Sequence, residues 1–341
     1  MSDLAKWKVH GPVATLKREH AEWDLAREEW QPARGLVLTS FRRDGSVSAS
    51  DFHNPDGSIV HTRWVYDDAG RLMESNFQSG DGFINRTVYT YDEAGRHVRT
   101  VEVLRGGTPA DSESCTYNAA GRKTKVRFLG AIGRKVSGYG VEGSEQAFPA
   151  PGATTMTTTY DERDLPRKVV FQDANGNTVT QVVFVRDDAG RMLSEEVHLG
   201  GGSLFSEVLE KATPEERERT AMLIHKAWGD WSTTYEYDAK GRMVERLRRT
   251  GTLGEERTSY RYEDRVDPVE ETTEHRNREA GLDENGTVQY TPDKVSVTHG
   301  RFEYVYDAQG NWTDRVGSYR IEQNPDFQRS NVERRAITYH V

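Results

Sequence analysis

The chain has 341 residues, a formal net charge of −9, 35% hydrophobic and 30% charged residues, and a single cysteine. That hydrophobic share is too low for a thick sandwich core, and the acidic balance argues against a general nucleic-acid partner, whose phosphates call for a basic surface. One cysteine excludes an internal disulfide framework, and no apolar run reaches the roughly 18 residues of a helical membrane span.

Residues 1–35 are the least repetitive and hold Trp7, Trp23 and Trp30, three of the seven tryptophans. The start, Met1-Ser2-Asp3-Leu4-Ala5-Lys6-Trp7, lacks the apolar centre of a signal peptide, which predicts cytoplasmic residence. Val13 to Trp23 reads as a strand in a segment that caps one end of a sheet. Trp23 to Trp30 is open between a helical turn and a loop.

From about Gly35 onward a tyrosine–acid turn recurs. The copies are Tyr66-Asp67-Asp68-Ala69-Gly70-Arg71, Tyr91-Asp92-Glu93-Ala94-Gly95-Arg96, Tyr117-Asn118-Ala119-Ala120-Gly121-Arg122, Tyr237-Asp238-Ala239-Lys240-Gly241-Arg242 and Tyr306-Asp307-Ala308-Gln309-Gly310-Asn311. Two decayed copies, Tyr160-Asp161-Glu162-Arg163-Asp164-Leu165 and Arg186-Asp187-Asp188-Ala189-Gly190-Arg191, fill the gaps. Repetition at such a period means stacked supersecondary units.

Each copy predicts a hairpin. Asp at the first turn position bonds its own backbone two residues on, and Gly at the fourth takes the left-handed conformation that follows a type I turn. The flanks, such as Thr87-Val88-Tyr89-Thr90-Tyr91, are β-branched and aromatic with partial alternation, as in half-buried strands. Looser turn signals, among them Asp44-Gly45, Asp56-Gly57 and Asn175-Gly176, lie between the copies. The prediction is an all-β antiparallel meander curled into an open shell or barrel-like sheet, on the order of 16 to 18 strands at about 4.8 Å spacing.

Three stretches depart from the pattern. Residues 130–153, rich in Gly, Ser and Pro, predict a long loop of passive character. Residues 203–229 predict a helical insertion: Thr213-Pro214-Glu215-Glu216 is a capping box, followed by Ala221, Ile224, Ala227 and Trp228 on one stripe. Residues 264–292, highly charged, predict a solvated loop or hairpin.

No phosphate-binding or His-Glu-x-x-His motif occurs, and neither a metal nor a cofactor is predicted. The motif carboxylates are accounted for by their turns. The arginines after each Gly are expected to pair with aspartates of successive copies in a ladder that sets register. Trp228 and Trp231 form the candidate interaction surface, the rival being an enzyme built on His225, Asp230 or His275. Cys115 reads as buried filler.

Tyr-Asp-x-x-Gly-Arg at this spacing resembles the YD repeat, or RHS repeat, of bacterial polymorphic toxins, insecticidal toxin complexes and animal teneurins. The resemblance covers about Gly35 to Val341. Gly11-Pro12-Val13-Ala14-Thr15-Leu16 and Tyr306 to Trp312 are similar to the ends of a smaller bacterial subgroup without a toxin domain. It implies a spiralling antiparallel sheet and a non-enzymatic scaffold or binding protein for a glycan or peptide, with a weak link to bacterial competition or adhesion. A shell-like or chaperone-like partner for a separately encoded toxin is the alternative.

Overall fold

Strands form where the sequence alternates, and the motif turns join them. The structure, a computed structural model, describes residues 3–80, 82, 84–103, 109–129, 139, 140, 144, 147, 148, 150, 152–200, 213, 230–250, 254–278, 280–282, 288–290, 292–321 and 324–340. From Arg34–Phe41 to Asn324–Tyr339 each long strand pairs antiparallel with its neighbours in sequence. Val13–Asp24 then pairs on both sides. Leu16 faces Thr39 of the first of these strands and Ile337 of the last.

That double pairing closes the sheet into a barrel of twenty strands among the described residues. Of the two forms expected of the meander, an open shell or a barrel-like sheet, the structure takes the second. Val13–Asp24, expected as a cap, is itself the closing stave. Closure satisfies both edge ladders, which an open sheet would leave exposed. Trp23 to Trp30 is neither helix nor simple loop. It is a small hairpin, with Trp23 opposite Trp30 and the two rings 4.9 Å apart at 75°.

The chain runs up and down, so all motif turns lie on one rim, joined there by the Asp44-Gly45 turn, while the turns at Asp56-Gly57 and Asn175-Gly176 lie on the other. Both chain ends reach the motif rim, where Val13 faces Tyr339. Along each strand alternate residues face opposite sides. The side bearing Leu16, Thr39, Val126, Phe171, Val182 and Val197 is buried and looks into the lumen. The outer side carries cross-strand ion pairs such as Arg63–Asp51, Arg249–Glu255 and Arg261–Glu270–Arg301.

Two predicted departures take a different form. Within 264–292, Pro268–Asn277 is a full barrel strand, paired with Gly254–Tyr262 and Lys294–Tyr306. Its charges lie on both walls, so no apolar alternation marks it. Within 130–153, Ala147–Phe148 pairs with Tyr139–Gly140, and Phe148, Ala150 and Ala153 are wholly buried against Val126, Phe171, Val182 and Val197. This segment fills lumen space and is no passive surface loop. The predicted helices in 203–229 lie outside the described residues apart from Thr213; the described helix is Asp3–Lys6.

Phe148 is the largest side chain of that filling, and its truncation opens a cavity the barrel wall cannot collapse into. Phe148→Ala is expected to lower unfolding free energy by about 3 kcal/mol or more, read from urea denaturation. A surface loop would lose no more than about 0.5 kcal/mol, and that result would unseat the segment from the lumen.

Candidate functional site

At the motif rim each turn joins one pair of strands and leaves the next pair without a covalent link. The repeated residues stitch that seam. In the copy at Tyr66, Asp67 Oδ1 accepts the backbone N–H groups of Ala69 (3.0 Å) and Arg71 (2.9 Å). Its Oδ2 takes Arg71 Nε and Nη2, both at 2.7 Å. Gly70 sits at φ 78°, as the turn demands. The Arg71 guanidinium, fixed in this way, lies 5.3 Å over the ring of Tyr91 in the next copy. Tyr91 donates its hydroxyl back to Leu72 O at 2.7 Å.

The same contacts recur. Arg96 covers Tyr117, Arg191 covers Tyr237 and Arg242 covers Tyr262, at 5.2, 5.0 and 4.7 Å. In these copies the Asp–Arg pairs are internal, which corrects the expected ladder between copies; among the described motif residues such a pair crosses copies at Arg122–Asp164. Coupling from copy to copy runs through guanidinium, ring and hydroxyl.

The decayed copies keep the stitch with other groups. Arg186, standing where a Tyr is expected, donates to Pro166 O. Asp164 replaces the turn glycine at φ 61° and accepts Arg122 at 3.3 Å. Arg163 reaches across to Asp187 O and Asp188 O, both at 2.8 Å. Two further turns join the ring without the motif: Arg42 lies 4.6 Å over Tyr66 and Arg265 3.9 Å over Tyr306. Arg42 follows Phe41 by one residue and Arg265 follows Tyr262 by three, so neither keeps the spacing of the motif.

Where three strand ends meet at the barrel closure there is no motif, and the N-terminal segment takes over. Asp3 Oδ2 accepts Val47 N at 2.9 Å, and the Trp7 ring packs edge-on against Phe41. Leu4, Trp7 and Val9 join Val13, Leu16 and Phe41 in a small core. The last copy carries Asn311 in place of Arg, and this exchange makes the clamp. Asn311 Oδ1 accepts His10 N (2.6 Å), and its Nδ2 donates to His10 O (2.9 Å) and Tyr339 Oη (2.8 Å). Tyr339 donates in turn to Asp307, filling the place an arginine has elsewhere. Beneath it Arg335 stacks 3.3 Å over Trp312, and burial pushes its guanidinium down to about 10, still charged at neutral pH.

Between this segment and the far wall lies a cavity of about 930 Å³. Tyr235, Arg246, Arg248, Glu256, Tyr260 and Tyr262 line it from the wall, with Lys8 and His10 opposite and Asp267 and Trp312 at the rim. Arg246 Nη2 donates to Glu256 Oε1 at 2.8 Å, and the other oxygen of Glu256 lies 3.6 Å from His275 Nδ1. Deeper in, buried Glu195 accepts Tyr235 Oη at 2.9 Å and Ser144 Oγ at 2.5 Å, tying the lumen filling to the cavity wall. Sequence reasoning missed this site, because only barrel closure brings the segment at Lys8 and His10 opposite the wall strands at 231–262.

Trp231 is half-buried on the lumen side, packed against the apolar filling, with Arg248 5.8 Å over its ring. Trp228 and His225 lie outside the described residues. Asp230 accepts Leu199 N and faces His198 at 3.4 Å, while His275 sits by Glu256, so the two described residues of the proposed enzyme site do not converge. Cys115 is buried 3.8 Å from His97 Nδ1. Burial raises its thiol and lowers that imidazole, the wrong directions for a nucleophile and its base. Among the described residues no group of three metal-ligating side chains occurs.

No family model and no curated protein matches the chain. Among solved structures it is similar to a porin-like protein from Bacteroides uniformis (10% identity, 97% of this chain and 99% of that one, TM-score 0.34). It is also similar to a mutant of transferrin-binding protein B from Haemophilus parasuis (6% identity, 96% and 77%, TM-score 0.17). The expected cytoplasmic residence is corrected: it rested on the lack of a signal-peptide centre at the start, and the chain closes into a β-barrel, an architecture that can cross a membrane by its strands. No described helix is long and apolar enough to cross a membrane, which says nothing of a β-barrel.

Two outcomes follow from the rim. Gly121, at φ 79° with no other atom within 4 Å of where a Cβ would stand, isolates the backbone term. Gly121→Ala is expected to cost about 1 kcal/mol, and Gly121→Asn clearly less, because Asn tolerates the left-handed region. Equal costs in urea unfolding would remove that explanation. The second outcome concerns acid. Asp67, Asp92 and Asp238 are held below the usual carboxylate range, foremost by the backbone N–H of the arginine four residues on, and then by its guanidinium. A depressed folded pKa gives stability that is present above the unfolded value of about 3.9 and is lost as pH falls through the folded one. The urea midpoint is therefore expected to fall progressively below about pH 4 from this source. A loss centred above pH 5.5 would assign acid sensitivity to histidines instead.

Proposed function

We propose that the protein is a small YD-repeat barrel that binds a glycan in its lumen and performs no chemistry on it. The cavity of about 930 Å³ beneath the N-terminal segment carries this reading. Its size falls in the range of small-molecule pockets, and its wall alternates tyrosine rings with charged groups. Such a wall suits sugars, whose C–H faces stack on aromatic rings and whose hydroxyls need donors and acceptors.

A peptide is the weaker ligand. Strand addition needs an unpaired edge, and closure through Val13–Asp24 leaves none in the barrel wall among the described residues. The barrel works with water on its outer wall. Outward ion pairs at Arg63–Asp51 and Arg261–Glu270 lie where a lipid-facing barrel carries an apolar band. This concerns the wall and assigns no compartment.

A glycan array with the purified protein in detergent-free buffer tests the reading. Retention of at least one glycan class is expected, weakened about tenfold by Tyr260→Ala, a loss of about 1.4 kcal/mol. An array without binders, or a protein that needs detergent to stay dispersed, would overturn it.

A further inference from the structure

Charges lining the cavity are unevenly spent. Both acids are engaged: Glu256 holds Arg246 and faces His275, and Asp267 Oδ2 accepts Tyr306 Oη at 3.2 Å. Arg248 and Lys8, both exposed to the cavity from opposite sides, have no carboxylate partner among the described residues.

The backbone at Lys8 adds a second observation. Lys8 stands at φ 51°, one of three non-glycine residues of the described chain in the left-handed region. Its carbonyl is held by Arg335 Nη1 at 3.4 Å, next to the His10–Asn311 clamp. Such strain persists only when surrounding contacts over-determine it. Here they fix the segment so that Lys8 and Arg248 line the two sides of one space. The chain as a whole carries −9, so a cationic lining runs against its overall charge.

We infer that the cavity selects an acidic glycan, one bearing carboxylates on its sugar rings, with Arg248 and Lys8 as the carboxylate-binding groups. This rests on the lumen-binding reading and adds the ligand's charge. The guanidinium of Arg248 is held over Trp231, and Tyr235, Tyr260 and Tyr262 line the same space, so a sugar bound through its carboxylate to Arg248 has aromatic rings within the cavity to stack on. Charge-assisted hydrogen bonds of this kind are about twice as strong as neutral ones, and they weaken with added salt.

The test compares oligogalacturonate with its methyl ester, which keeps the sugar chain and removes the charge. In calorimetric titration of the full-length protein, oligogalacturonate is expected to bind at least tenfold tighter at low salt, with the gap narrowing as salt rises. Arg248→Gln should weaken oligogalacturonate about tenfold and leave the ester unchanged, while Arg63→Gln on the outer wall should alter neither. Equal affinity for the two probes, or an Arg248→Gln variant that is folded by circular dichroism and binds oligogalacturonate as before, would overturn the inference. So would polyglutamate binding where oligogalacturonate does not. If neutral array glycans are retained and neither probe binds, the acidic preference alone falls; if no glycan binds at all, the lumen-binding reading falls with it.

Discussion

A guanidinium laid on the tyrosine ring of the next hairpin is the contact on which the barrel depends. Strand ladders hold neighbours side by side, but at each rim every second seam has no turn to close it. At the motif rim Arg71 and Tyr91 close one such seam, Arg96 and Tyr117 the next, and Arg242 and Tyr262 another. The aspartate orients the arginine and the glycine permits the turn that places both. The repeat is therefore a fastener that acts between hairpins as well as a turn within one.

Closure sets the second constraint. Twenty strands enclose more volume than wall side chains can fill, and a chain with 35% hydrophobic residues has little to fill it with. The lumen is accordingly divided. One side receives Phe148, Ala150 and Ala153 against valine and phenylalanine from the wall. The motif end on the opposite side is roofed by Leu4 to Gly11 and stays polar and partly open. Glu195 joins the two regions through Ser144 and Tyr235.

Local chemistry was readable in the residue order; circular geometry was not. The spacing of Tyr66, Asp67, Gly70 and Arg71 gives the hairpin and its turn, since every requirement is met within six residues. The partner of Arg71 is not legible there, because it sits on Tyr91, across a seam that exists only after folding. Pro268–Asn277 escaped detection because a strand wetted on both faces loses its alternation. The Phe148 segment escaped it because Gly and Pro mark loops whether they face solvent or a lumen. Cavity residues Arg246, Arg248 and Lys8 carry no motif at all; only closure brings the first strand's approach opposite the wall at 231–262.

Departures from the repeat are where the molecule becomes specific. Arg186 for Tyr and Asp164 for Gly preserve the stitch and change nothing else visible. Asn311 for Arg does more. An arginine there would fold back on Asp307, as in the other copies, and cover the ring of a following tyrosine. The shorter amide leaves Asp307 to Tyr339 and presents a donor and an acceptor side by side, a match for one peptide unit. That unit is His10, and fixing it carries Lys8 to the cavity. The same exchange that ends the repeat thus anchors the segment roofing the lumen, so the architecture and the candidate site share one residue.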